Sequence, residues 1–205
     1  MANDGKAPPT TLYLIRHGEP AAQYQNSYYG ELDVELSERG REQSRAVARR
    51  LAGVPFDAVY SSDLCRAGYL ADLLAEPRGL PVRRLAVFRE RKMGILQGLD
   101  VTALESEHAV LYAQWRADRI RFRVPEAENF EDLAARVLPA TRELVAAFAG
   151  RRIVLVGHAG PIRVILAEAI GLPLDNLFRL GVAHASIHVI EFAPDAPPIV
   201  TLLNG

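Results

Sequence analysis

Two short runs that are apolar at every position, Leu12-Tyr13-Leu14-Ile15 and Ile153-Val154-Leu155-Val156, predict strands buried on both faces. Further strands are expected over 57–61, within 81–88 and over 186–192. Between them the period changes. Ser37 is the expected N-cap of a helix over 37–51, with Ala46, Val47 and Leu51 on one face beside a charged run. Leu64, Ala67, Ala71 and Leu74 mark a second helix over 64–75, and 101–116 reads as a third. The clearest helix, over 130–148, carries Leu133, Val137, Leu138, Leu144 and Val145 along one stripe, with Pro139 expected to kink it. The segment 162–170 is apolar almost all round and predicts a buried helix. Strands alternating with helices imply an α/β fold, a three-layer α/β/α sandwich around a mainly parallel sheet, in a single domain over 10–205. Residues 1–9, small and polar with Asp4 and Lys6, read as a disordered tail without the apolar centre of a secretory signal.

Composition narrows the partners. The 205 residues are 49% hydrophobic and 24% charged, ordinary for a globular chain with a sizeable core. A formal net charge of −1 supplies no general field for nucleic acid or an anionic membrane, so recognition of an anion must come from a local cluster. No apolar stretch approaches the roughly 20 residues of a membrane span. Cys65 is the only cysteine, which excludes an intramolecular disulfide and suits a reducing, cytoplasmic setting. It is expected to be a packed thiol, because Ala71 stands where a cysteine-based phosphatase loop would place its arginine. The sequence leaves a homo-oligomer open.

The candidate chemistry sits where strands end. The first strand runs into Arg16-His17-Gly18-Glu19, and the later one into Gly157-His158-Ala159-Gly160-Pro161. Open α/β sheets hold ligands at the carboxyl ends of their strands. A neutral histidine can attack a phosphoryl group through a ring nitrogen, giving phosphohistidine. Arginine suits the phosphate itself, with a planar fork and a permanent charge. Arg16 and Arg66 fit that role, and His158 would join them, aided by the free N–H groups of the helix that Pro161 begins. A leaving oxygen needs a proton, and Glu90, in the glycine-marked run ERKMGILQG, is the first choice, with Glu19 the weaker one.

Together these motifs resemble the histidine phosphatase superfamily, also called the phosphoglycerate mutase-like superfamily. RHGE at 16–19 is similar to its nucleophile motif, SSDLCRA at 61–67 to its second-arginine motif, VGHAG at 156–160 to its second-histidine motif, and ERKMGILQG at 90–98 to its acid-bearing loop. The resemblance implies a phosphomonoester hydrolase acting on a small phosphorylated metabolite, with His17 as nucleophile, Arg16, Arg66 and His158 as the phosphate pocket, Glu90 as proton donor, and no metal or cofactor. Gln23, in roughly the place of a family asparagine, Arg91, and His184, where an asparagine is common, are candidate substrate contacts. Pro20 after Glu19, Ala127-Glu128-Asn129 for Gly-Glu-Ser, and Ala159 for glycine depart from the usual pattern. Alternative readings are a phosphoglycerate mutase, an α-ribazole phosphatase, suggested by Glu19-Pro20 and Tyr29-Gly30…Asp33, and a catalytically dead phospholigand-binding module. Arg119, Arg121 and Arg123, alternating with apolar residues, read as a solvated edge or as a selector of anionic substrates. His184 and His188 would share a strand face, too few to hold a metal.

Overall fold

Six strands form one sheet in the order β3-β2-β4-β1-β5-β6 in a computed structural model that describes residues 7–205. The strands are β1 (Thr10–Arg16), β2 (Ala58–Ser61), β3 (Val82–Arg84), β4 (Arg152–Gly157), β5 (Ile187–Phe192) and β6 (Ile199–Leu202). β3, β2, β4 and β1 run parallel, while β5 and β6 are antiparallel to their neighbours. β6 was not legible as a strand. It is a half-exposed edge, so burial never imposed an apolar pattern on it.

The helices among the described residues are α1 (Glu38–Arg50), α2 (Cys65–Ala75), α3 (Val101–Glu107), α4 (Ala109–Ala117), α5 (Phe130–Ala147) and α6 (Ala159–Ala169). α1 and α2 pack Val47, Leu70 and Leu74 on one face of the sheet against Ile15, Val59 and Val156. On the other face, α5 and α6 place Leu133, Val137, Ile162 and Ile165 against Leu12, Leu14 and Leu155. These are the three layers that the alternation implied. α5 runs through Pro139 without a break, held by a capping box between Asn129 and Asp132 and by its buried stripe.

The helix expected over 101–116 is two helices. His108 leaves the helical region, at φ −129° and ψ 28°, between α3 and α4. The break lets Leu104, Tyr112 and Trp115 close on Met93, Leu96 and Val124, a third apolar cluster beside the sheet's carboxyl edge. Neither Gly nor Pro marks it in the sequence. Most of the expected tail, 1–6, lies outside the described residues; Ala7, Pro8 and Pro9 are exposed. No helix among the described residues is long and apolar enough to cross a membrane.

Candidate active site

Register decides which side chains meet. Arg16 of β1 stands opposite Gly157 of β4, and Ser61 of β2 opposite Val156, so three parallel strands end level with one another. The residues that follow, His17, Ser62 and His158, are therefore neighbours, and each is at most 1% exposed. β5 runs the other way, with Ile187 opposite Ile15, and this brings the loop before it, with His184, to the same edge. The turn after β1 is pressed backbone to backbone on α1. A Cβ on Gly18 would lie 2.1 Å from the Gly40 carbonyl oxygen, and one on Gly40 would lie 2.0 Å from that of Glu19. Glycine at both positions is what lets His17 sit this deep.

His17 Nδ1 donates to its neighbour's carbonyl, Gly18 O, at 2.6 Å, which leaves Nε2 as the ring nitrogen with a free lone pair. Burial pushes its pKa well below the ordinary histidine value, and His158, Arg66 and Arg16 add to the push. The ring is neutral at pH 7. The His158 ring lies 5.1 Å away, centroid to centroid. Its Nε2 is 2.6 Å from Ser62 Oγ. When that hydroxyl donates, the proton of His158 is on Nδ1, a buried atom with no partner. Burial, with Arg66 and Arg16 close by, holds His158 neutral as well.

The two arginines are gripped from behind. Arg16 donates to Val182 O and His184 Nε2, both at 2.7 Å, and leaves Nε buried and unpaired. Arg66, fully buried, donates to Leu32 O at 2.5 Å and Gly30 O at 2.7 Å, with the Tyr29 ring 5.0 Å from its guanidinium carbon; its Nε is likewise unpaired. Buried donors without partners are rare because each costs about 1–3 kcal/mol. Two of them, joined by His158 Nδ1 when Ser62 donates to Nε2, form beside one nucleophilic ring a cradle for an anion with several oxygens.

Glu90 faces this cradle from the loop after β3. Its carboxylate accepts from Arg91 N at 2.8 Å and from Gly160 N, at the start of α6, at 3.2 Å. The loop is clamped by Arg136 of α5, which donates to the carbonyls of Val87, Arg89 and Glu90 and makes a two-pronged pair with Glu128 at 2.6 and 2.7 Å. Glu128 in turn accepts from Lys92 N. Glu19 also lines the cavity but is tied to the cap of α1, accepting from Ser37 Oγ at 3.0 Å and pairing with Arg39.

A cavity of about 520 Å³ is lined by Arg16, Glu90, Arg91 and His184 among others, while His17, Arg66 and His158, at most 1% exposed, are not on its wall. Gln23 is outside it. It is exposed on a short 3-10 turn, Ala22–Tyr24, and the lining there comes from Gln25 and Asn26 instead, because the turn rotates position 23 outward. His184 and His188 do not share a face. His184 lies in the loop before β5, whereas His188 is a fully buried residue of β5, bonded to Ser186 Oγ and Asn204 N. Cys65 is exposed rather than packed, although its Sγ reaches Val34 O. Sequence reasoning passed over Ser62, Arg136 and Arg163. The signal for Arg163 was present: it is the one charge in the apolar run 159–167.

A family model of the histidine phosphatase superfamily (branch 1) matches residues 12–205. The chain belongs to this superfamily. A glucosyl-3-phosphoglycerate phosphatase of Mycolicibacterium vanbaalenii is 38% identical over 179 residues, spanning 83% of this chain and 78% of that one. The α-ribazole phosphatase of Shigella flexneri superposes with a TM-score of 0.87 at 28% identity, covering 95% of this chain and 96% of its own. A mycobacterial glucosyl-3-phosphoglycerate phosphatase, solved with VO3, gives a TM-score of 0.83 at 32% identity, covering 95% and 98%. The fold of this chain, a six-stranded mixed and mainly parallel sheet between helices, is thus that of histidine phosphatases.

Proposed function

We propose that this histidine phosphatase hydrolyses a small phosphomonoester through a phosphohistidine at His17, without a metal. The observation that carries the reading is the set of buried polar atoms without partners, Arg16 Nε, Arg66 Nε and His158 Nδ1, beside a ring whose Nδ1 proton is fixed on Gly18 O. His17 Nε2 attacks phosphorus as the bond to the ester oxygen breaks, and Glu90, as the acid, gives that oxygen its proton. Charge moving onto the phosphoryl oxygens is met by the two guanidinium groups and His158. In the second half, Glu90 takes a proton from water, whose oxygen attacks the phosphohistidine and frees His17 and inorganic phosphate.

The test is phosphate release from p-nitrophenyl phosphate in EDTA-containing buffer by the wild type and by His17→Ala. The variant is expected to be inactive and to form no acid-labile, base-stable phosphoprotein. Substantial turnover by pure His17→Ala overturns the reading. The mutase-like loop over 90–98 keeps one alternative in view: conversion of 3-phosphoglycerate to 2-phosphoglycerate, primed by 2,3-bisphosphoglycerate and faster than phosphate release, would make the chain a mutase.

A further inference from the structure

The arginines around the outer cavity fall into two groups. Arg121 pairs with Asp175 and Glu131, and Arg123 with Asp132, all on the exposed rim. Arg91, Arg119 and Arg163 line the cavity itself and have no carboxylate partner among the described residues. Arg91 donates to the Glu128 carbonyl, and Arg163 Nε to the Leu180 carbonyl at 3.0 Å. Arg119 donates to nothing among the described residues, and its Nε is buried and unpaired.

What holds Arg119 is aromatic surface. Its guanidinium carbon lies 4.0 Å from the Phe178 ring centroid and 5.1 Å from that of Trp115, and Arg163 lies 5.6 Å from the same Phe178 ring. Stacking fixes the guanidinium plane and leaves its in-plane N–H donors unused. The cations also feel one another. Burial lowers the pKa of both Arg91 and Arg163, Glu90 offsets part of that, and Arg119 adds to the lowering. Arg91 is buried and Arg119 and Arg163 are half-buried, and cations clustered away from bulk water are costly unless an opposite charge joins them. The cavity's own carboxylates are committed elsewhere, Glu19 to Ser37 and Arg39, and Glu90 to two backbone N–H groups. Glu90 is one negative charge facing three cations, so a phosphate held by Arg16, Arg66 and His158 would leave this second group with net positive charge.

We propose that Arg119 and Arg163, against Phe178, form a subsite for a second anionic group on the substrate, a carboxylate or a further phosphate. The inference rests on the phosphatase reading and adds to it a substrate class: phosphomonoesters with another negative charge. Arg121 and Arg123 take no part, since their charges are already paired on the rim.

Two matched substrate pairs test it. 3-Phosphoglycerate and glycerol 3-phosphate differ by a carboxylate in place of a hydroxymethyl group; propane-1,3-diol bisphosphate and its monophosphate differ by a phosphate. The wild type is expected to prefer the more anionic member of at least one pair by tenfold or more in kcat/KM, about 1.4 kcal/mol. Which pair shows it identifies the second anion. Arg119→Gln with Arg163→Gln should bring that ratio near parity, and Arg119→Lys, which keeps the charge but loses the fork, should give an intermediate ratio. Retention of the full preference in the double variant overturns the assignment. Parity of the wild type on both pairs, while p-nitrophenyl phosphate is still hydrolysed, overturns the subsite and spares the phosphatase reading. The wild-type ratios decide the matter alone if the double variant does not fold. Failure of the wild type on every ester overturns both readings.

Discussion

A single methyl group at position 160 tests whether Glu90 acts from the place where the structure holds it. A Cβ on Gly160 would lie 2.3 Å from Glu90 Oε1 and 3.0 Å from Leu133 Cδ2. Carbon and oxygen approach comfortably at about 3.3 Å, so the carboxylate of Gly160→Ala must retreat by about 1 Å. The retreat breaks its 3.2 Å contacts with Gly160 N and carries the proton donor away from the leaving oxygen. Loss of a hydrogen bond costs about 0.5–1.5 kcal/mol, and a 1 Å misplacement costs on the order of 10²-fold in rate. An alkyl phosphate, whose leaving group must be protonated, should therefore lose roughly 10- to 10²-fold in kcat/KM. An aryl phosphate, with a good leaving group, should lose much less. Stability should hold, because alanine in a helix gains up to about 1 kcal/mol over glycine and offsets the crowding at Leu133. The assay runs p-nitrophenyl phosphate and glycerol 3-phosphate side by side on wild type and Gly160→Ala, with a thermal melt of each. Equal losses on the two esters, or an undiminished rate on the alkyl ester, would refute the placement of Glu90 as the acid.

Ser62→Ala removes the hydroxyl that sets the His158 proton on Nδ1, and turnover should fall by roughly 10-fold or more with the fold intact; unchanged kcat would mean that the tautomer is fixed some other way. Arg136→Ala should mimic Glu90→Gln, slowing alkyl esters more than aryl ones, since it frees the carbonyls of Val87, Arg89 and Glu90; a uniform loss across esters would make Arg136 merely structural. Burial lowers the pKa of His17, His158, His184 and His188, the last two to about 4. The unfolded chain, titrating near 6.5, binds more protons between those values, so stability is full above about pH 6.5 and declines as pH falls from there toward 4. His188→Gln, remote from the cavity, should flatten the drop in Tm between pH 7.5 and 5; an equal Tm at both pH values in the wild type would contradict the sign.

The strands and the residues at their tips were legible because each is a property of neighbouring positions. Leu12 to Ile15 is buried on both faces and therefore apolar throughout, and Arg16 and His17 follow at once, so one stretch of sequence carries both the element and its chemistry. The same holds for 153–158. The rest depends on partners distant in the chain. Arg119, Arg121 and Arg123 look alike in sequence, yet Asp175 and Asp132 take two of them to the rim while Phe178 and Trp115 fix the third in the cavity. His184 meets Arg16, 168 positions earlier, only because β5 runs antiparallel to β1, and His188 is turned into the core by the same strand. Gln23 missed the cavity for want of one turn's rotation, which the residues of 20–26 do not encode as a pattern. Periodicity reports whether a position is buried or exposed. Which charge faces which is decided by register, strand direction and loop path, and those exist only once the layers have packed.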